Sequence, residues 1–234
     1  MCRRFLFIPA KGITGNTVFL NTSESPSKIY KYDFDTNTIE FLFSLPGQSL
    51  DIVLTNTKLW TVCSGILYEY NITLNPFTAE LNRSFAVSFT TKGLGIYNDT
   101  TLLGGNLQID KLDITTTTPI KTMLFPFVNP TYGVTGDILY KKSTNSIYVT
   151  HSYTRIDEYL FDGTLLRSKD TGIISLFGMF IHNNNLYVIG GSTGSVYLVN
   201  PETLDLTFVK IIPGLRGSAS GEPFINGSAQ ALDF

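Results

Sequence analysis

Asn145-Ser146-Ile147-Tyr148-Val149, followed by Ile156-Asp157-Glu158-Tyr159, is a polar turn running into an apolar segment and then into a second segment of alternating character. The same pair of segments recurs along the chain. Asn16-Thr17-Val18-Phe19-Leu20 leads to Ile29-Tyr30-Lys31-Tyr32, and Thr57-Lys58-Leu59-Trp60-Thr61 to Leu67-Tyr68-Glu69-Tyr70. Thr100-Thr101-Leu102-Leu103-Gly104 leads to Ile109-Asp110-Lys111-Leu112, and Asn184-Asn185-Leu186-Tyr187-Val188 to Val196-Tyr197-Leu198-Val199. The anchors Phe19, Trp60, Leu103, Tyr148 and Tyr187 are 41, 43, 45 and 39 residues apart. A further segment follows each pair, as in Ile39-Glu40-Phe41-Leu42 after the turn Asp35-Thr36-Asn37-Thr38. Another precedes the anchor in four units, at 50–54, 94–97, 137–140 and 177–181.

Four short strands repeated about every 40 residues are the signature of propeller blades. One four-stranded sheet cannot cover both its faces, whereas sheets stacked around a ring cover one another. The 29 threonines, 12 tyrosines and 17 phenylalanines suit pleated surfaces. No segment has the 3.6-residue apolar period of a helix. The expected fold is therefore all-β, a propeller of five four-stranded blades over residues 1–212, with a short Gly/Ser-rich tail at 213–234. The innermost strand of the first unit is expected at 4–8, with the alternative that this strand closes the last blade as its outer edge.

The last unit, Val196-Tyr197-Leu198-Val199-Asn200-Pro201-Glu202-Thr203-Leu204, and the first, Tyr30-Lys31-Tyr32-Asp33-Phe34-Asp35-Thr36-Asn37-Thr38, share a strand–turn–strand signature. It resembles the broad propeller superfamily of YVTN, NHL, SMP-30-like and quinoprotein-like repeats. That resemblance covers roughly residues 4–212 and implies the fold. It implies no single activity, because the superfold hosts hydrolases, oxidoreductases, lectins and scaffolds.

Charged residues are 15% of the chain and hydrophobic residues 43%, with net charge −2. A phosphate-tracking surface needs clustered Lys and Arg, so nucleic acid is excluded as main partner. No apolar run approaches the ~20 residues of a membrane helix. The opening Arg3-Arg4-Phe5-Leu6-Phe7-Ile8-Pro9 has too short an apolar run for a signal peptide. With no signal or membrane segment read, and with Cys2 and Cys63 as two free thiols, the expected location is the cytoplasm, or a virus particle if the source is viral. Five Asn-x-Ser/Thr sequons, at Asn21, Asn71, Asn82, Asn98 and Asn226, are not far above chance among 16 asparagines.

The richest polar cluster is His151, Tyr153 and Arg155, read as the loop between the second and third strands of unit four, on a face where propellers bind ligands. Asp51 and Asp137 lie in or beside innermost strands and are expected to point into the central channel. There they would hold water or, with Asn98, an oxygen-ligated Ca²⁺. They are also the best carboxylate pair for glycoside cleavage; Glu69, Glu80 and Glu158 fall on outer strands. His182, in His182-Asn183-Asn184-Asn185, reads as a solvated turn residue. A Ser152–His151–Asp157 triad fails for want of a nucleophile elbow. Gly104-Gly105 and Gly190-Gly191-Ser192-Thr193-Gly194 read as hairpin turns and not phosphate loops. No catalytic residue, metal set or cofactor is expected. The function expected is a non-enzymatic binding or assembly module whose partners are protein subunits. A glycan-binding propeller, or a degenerate lactonase- or glycosidase-type enzyme, is the alternative.

Overall fold

The computed structural model describes residues 3–5, 17–22, 25–55, 57–74, 76–87, 93–128, 134–151, 154–174, 176, 178–182, 185–190 and 194–212. Five four-stranded antiparallel sheets account for the chain's twenty strands among these residues, each sheet built from four consecutive strands. Blade 1 contains β1 (Arg3–Phe5), β2 (Thr17–Asn21), β3 (Lys28–Asp33) and β4 (Ile39–Ser44). Blade 2 contains β5 (Ser49–Leu54), β6 (Lys58–Cys63), β7 (Ile66–Leu74) and β8 (Phe77–Ala86). Blade 3 contains β9 (Gly93–Asn98), β10 (Thr101–Gly105), β11 (Gln108–Asp113) and β12 (Ile120–Pro126). Blade 4 contains β13 (Val134–Lys141), β14 (Ser146–His151), β15 (Arg155–Leu160) and β16 (Leu165–Asp170). Blade 5 contains β17 (Gly178–His182), β18 (Asn185–Gly190), β19 (Ser195–Val199) and β20 (Leu206–Ile211). The one helical element among the described residues is a 3-10 turn at Lys142–Thr144.

The first strands of the blades touch in sequence around the ring, β1 with β5, β5 with β9, β9 with β13, β13 with β17 and β17 with β1. The ring thus closes between blades 5 and 1. It does so without exchanging a strand: β1 pairs with β2 inside its own sheet, which rules out the alternative closure. The tail at 213–234 lies outside the described residues.

Both faces of the inner strands are covered, so they are buried throughout rather than alternately. All described side chains of β14 and β17 are buried, whereas β16, on the outside, alternates between partly buried and exposed. The two-residue period of a strand then decides which neighbour each residue meets. Ile52 and Leu54 pack toward blade 1, in a cluster with Phe19 and Ile29, while Val53 between them packs toward blade 3 with Leu94 and Ile96. Leu59 and Trp60 divide in the same way, and so do Leu103 and Leu102. Blade 3 meets blade 4 through Phe125, Phe127, Ile138 and Tyr159. A larger cluster joins blade 5 to blades 4 and 1 through Phe180, Val188, Tyr148 and Tyr32.

The outermost strands keep large apolar side chains in solvent: Ile39 and Phe41 on β4, Leu81 on β8, Ile120 and Met123 on β12, Leu166 on β16, and Phe208, Val209 and Ile211 on β20. Strands β7 and β8 are the longest in the ring. Their extension folds against blade 1, where Phe77 packs on Phe19 and Phe43 at ring separations of 5.8 and 5.9 Å.

Candidate functional site

Antiparallel connection divides the loops between two faces. Turns joining first to second and third to fourth strands emerge on one face. Turns joining second to third strands, and the links between blades, emerge on the other, here the upper face.

Asp51 and Asp137 occupy matching places, each immediately before the residue (Ile52, Ile138) where the first strand resumes regular pairing with the second. Each carboxylate accepts a backbone N–H from another blade. Asp51 Oδ2 accepts the backbone N–H of Leu94 in blade 3 at 2.5 Å. Asp137 Oδ2 accepts that of Met179 in blade 5 at 2.8 Å, and its Oδ1 that of Ile138 at 2.7 Å. Both are buried, so each bond replaces a water partner the amide could not otherwise reach. Through these bonds the pair joins blade 2 to blade 3 and blade 4 to blade 5.

Asn98, the third residue of the imagined cation set, is exposed at the end of β9. Its Oδ1 accepts the Thr100 N–H at 2.9 Å and hydroxyl at 3.0 Å. Among the described residues, no three His, Cys, Asp or Glu side chains are grouped to hold a metal ion.

His151 ends β14 and is 1% exposed, which corrects its placement in an open loop. The cause is a neighbour distant in sequence: Phe127, from the end of blade 3, sets its ring edge-on to the imidazole at 4.6 Å. His151 Nε2 lies 3.4 Å from Asp157 Oδ2. Asp157 also pairs with Arg155 Nε at 3.0 Å and accepts hydrogen bonds from the Tyr159 hydroxyl at 3.1 Å and from Ser168. Burial, then the adjacent Asp157 charge, pushes the Tyr159 phenol above its ordinary range. The structure thus joins His151 to Arg155 through Asp157; Tyr153 and Ser152 lie outside the described residues. His182 is also buried, on β17 and not in a turn, with its ring 5.2 Å from Phe34.

Two glutamates set aside at the sequence level hold further polar assemblies. Glu69 and Glu158 lie on the third strands of blades 2 and 4, both 2% exposed; Glu80 lies on the outermost β8. Glu69 accepts from Lys58 Nζ at 2.7 Å, Arg83 Nε at 2.6 Å, Asn82 Nδ2 at 2.8 Å and Trp60 Nε1 at 3.3 Å. Burial acts to raise its pKa, but the bonds from Lys58, Arg83 and Asn82 outweigh burial and leave the carboxyl below its ordinary value. Glu158 accepts the Tyr148 hydroxyl at 2.8 Å and pairs with Arg167 at 3.0 Å. Register makes these one motif used twice: Glu69 faces Trp60 and Arg83 across the sheet, and Glu158 faces Tyr148 and Arg167. Each arginine continues to the next blade. Arg83 donates to the Ile114 and Thr116 carbonyls at 2.6 and 3.2 Å, and Arg167 to the Pro201 carbonyl. The repetition of Glu on the third strand and Arg on the fourth in two units was the available sequence signal.

Beside the Glu69 assembly lies an open groove of about 370 Å³ between blades 2 and 3, on the lower face. Lys58, Trp60, Asn82, Arg83, Asp99 and Thr115 are among its walls.

No protein-family model and no curated protein sequence matches the chain. Solved structures do. The β-propeller domain of Cps50 (Swd1) from Myceliophteria thermophila matches with a TM-score of 0.57 at 13% identity, over 89% of this chain and 70% of that one. A chain of a nidogen/laminin complex matches at 0.58 and 12%, over 92% and 82%. A protein of unknown function from Bacteroides caccae matches at 0.56 and 16%, over 88% and 76%. The chain is a five-bladed β-propeller. At these identities the likeness is one of fold alone.

Proposed function

We propose that this propeller is a non-enzymatic protein-binding module that docks a protein partner on its upper face over blades 3 to 5. The observation that carries this reading is a set of large apolar side chains held in solvent there. Leu107, in the turn from β10 to β11, is 56% exposed; Val128, after β12, is 68%; Ile174, after β16, is 69%. Apolar side chains held in solvent on one face are the groups an interaction site would draw on. Arg155, which opens β15 at the same face, is partly exposed and anchored through Asp157, which suits a rim contact.

Two further points support a binding role. The carboxylate pair that a hydrolase reading would draw on, Asp51 and Asp137, is engaged in joining blades. One similar fold occurs in a nidogen/laminin complex, an assembly between proteins. Assembly into a larger particle is the finer form of the same reading.

The test is affinity capture from the source cells with quantitative mass spectrometry, comparing the natural chain with a Leu107→Asp, Val128→Asp, Ile174→Asp variant. The reading requires loss of specific partners at unchanged melting temperature. An unchanged partner set would sink it.

A further inference from the structure

The two glutamate assemblies separate what the ring needs from what it does not. Both keep a buried glutamate, an aromatic donor and an arginine reaching the next blade. Blade 2 adds Lys58, where the matching position of blade 4 is Ser146, and Asn82, where it is Leu166. Leu166 is exposed, so the joint between blades 4 and 5 holds without a polar group there. The extra polar groups of blade 2 stand in the groove, facing Asp99 of blade 3 across it.

The groups open to a ligand are specific. The Lys58 ammonium has three protons, of which two go to Glu69 and Asn71. The Asp99 carboxylate makes no hydrogen bond or ion pair among the described residues. The Thr100 and Thr115 hydroxyls donate to Asn98 and Asp113 and so turn lone pairs outward. The formal charges of Lys58, Arg83, Glu69 and Asp99 cancel, so net charge draws in neither an anion nor a cation. The groove's size falls near the lower end of small-molecule sites, roughly 300–1,000 Å³. An array of donors and acceptors with no net charge matches a molecule that offers both on every side, which is the chemistry of sugar hydroxyls.

The geometry points to a single neutral-saccharide site in this groove, taking a mono- or disaccharide by hydrogen bonds from Lys58 and to Asp99, Thr100 and Thr115. The site is independent of the protein-docking face, which lies on the opposite side of the ring. It is also unrepeated, since only blade 2 carries the added groups.

The test uses the full chain and a panel of glucose, galactose, mannose, N-acetylglucosamine, lactose and maltose, with titration calorimetry and melting temperature as readouts. At least one sugar should bind. Asp99→Ala, a change at an exposed turn, should weaken it by about tenfold or more, the loss of about 1.4 kcal/mol, without shifting the unliganded melting temperature. Lys58→Ser, which installs the blade 4 residue, should weaken it as well, while the triple upper-face variant should bind sugar as the natural chain does. Three results would overturn the assignment: no sugar bound, sugar binding retained in both groove variants, or inorganic phosphate competing for the groove.

Discussion

The ammonium of Lys210 lies 3.8 Å from the centre of the Phe34 ring and donates a hydrogen bond to the Phe34 carbonyl. The two residues come from the last and first blades, Lys210 from the outermost strand of blade 5 and Phe34 from just beyond β3 of blade 1. The Phe34 carbonyl stands where those of Ile114 and Pro201 stand in blades 3 and 5, one residue past an Asp or Asn whose side chain caps the turn. A cation from the preceding blade therefore grips the same carbonyl at three joints. At the closing joint the grip is reinforced by ring packing of Phe34 on Phe180 and Tyr187, at 6.0 and 5.9 Å.

Removing that grip should loosen closure. Lys210→Ala should cost about 1–2 kcal/mol, combining a partly desolvated cation–π contact with a lost hydrogen bond. Phe34→Ala should cost about 3–5 kcal/mol as a large core truncation. Urea unfolding checks both, and a Lys210→Ala chain as stable as the natural one would show that closure rests on apolar packing alone.

Between blades 3 and 4 the backbone of one blade comes close to an aromatic side chain of the other. Gly163 has φ +91°, and a Cβ built on it would lie 2.7 Å from the Cβ of Phe125. Gly163→Ala thus adds backbone strain to a clash and should destabilise by about 1–3 kcal/mol. Gly163→Asn, whose side chain tolerates positive φ but carries the same Cβ, should cost about as much; a clearly smaller loss would mean that only backbone strain is at stake.

Asp51→Ala and Asp137→Ala each leave a buried amide, of Leu94 or Met179, without its acceptor. Each should cost about 1–3 kcal/mol. Amide hydrogen exchange offers a sharper reading: protection should fall at Leu94 in the first variant and at Met179 in the second. A uniform fall across the ring in both would argue against local joints.

Trp60 is the only tryptophan, is 3% exposed, and packs against blade 3. Its emission should be blue-shifted in the native chain, and Trp60→Phe should retain the packing while losing the bond to Glu69. That variant should be less stable by about 1–3 kcal/mol, the hydrogen-bonding cost at a charged acceptor.

The Glu69 carboxyl is held below the ordinary value of a glutamate by its bonds from Lys58, Arg83 and Asn82, which outweigh burial. A depressed carboxyl stabilises the fold fully above its unfolded pKa and loses that contribution as pH falls through the folded value. Glu69→Gln should therefore flatten the acid limb of stability below about pH 4.5 while costing stability at neutral pH. An acid limb of unchanged slope would place the titrating group elsewhere.

The blades were legible because a strand's period and a blade's period are written locally. Val18, Trp60, Leu102, Tyr148 and Val188 are apolar within strands whose flanks are turns, and those are the buried inner strands observed. What the side chains at the joints do was not legible, because their partners lie a whole blade away. Nothing near Asp51 announces the amide of Leu94, and nothing near His151 announces Phe127. His182 was drawn into a turn by the asparagines that follow it, although the ring of Phe34 holds it inside blade 5. Glu69 and Glu158 were passed over because an acidic residue on a third strand reads as solvent-facing until its arginine is counted with it.

The doubled motif has an arithmetical consequence. Blades 2 and 4 carry the aspartate and the glutamate–arginine pair, and blades 3 and 5 receive them. Donor and receiver can alternate without a remainder only in an even ring, and this ring is odd. Blade 1 is the blade left over, receiving Lys210 from a blade that is itself a receiver and meeting blade 2 through the folded extension of β7 and β8. Parity thus makes one member of a nearly repetitive chain unlike the rest, and it gives the molecule a fixed rotational origin.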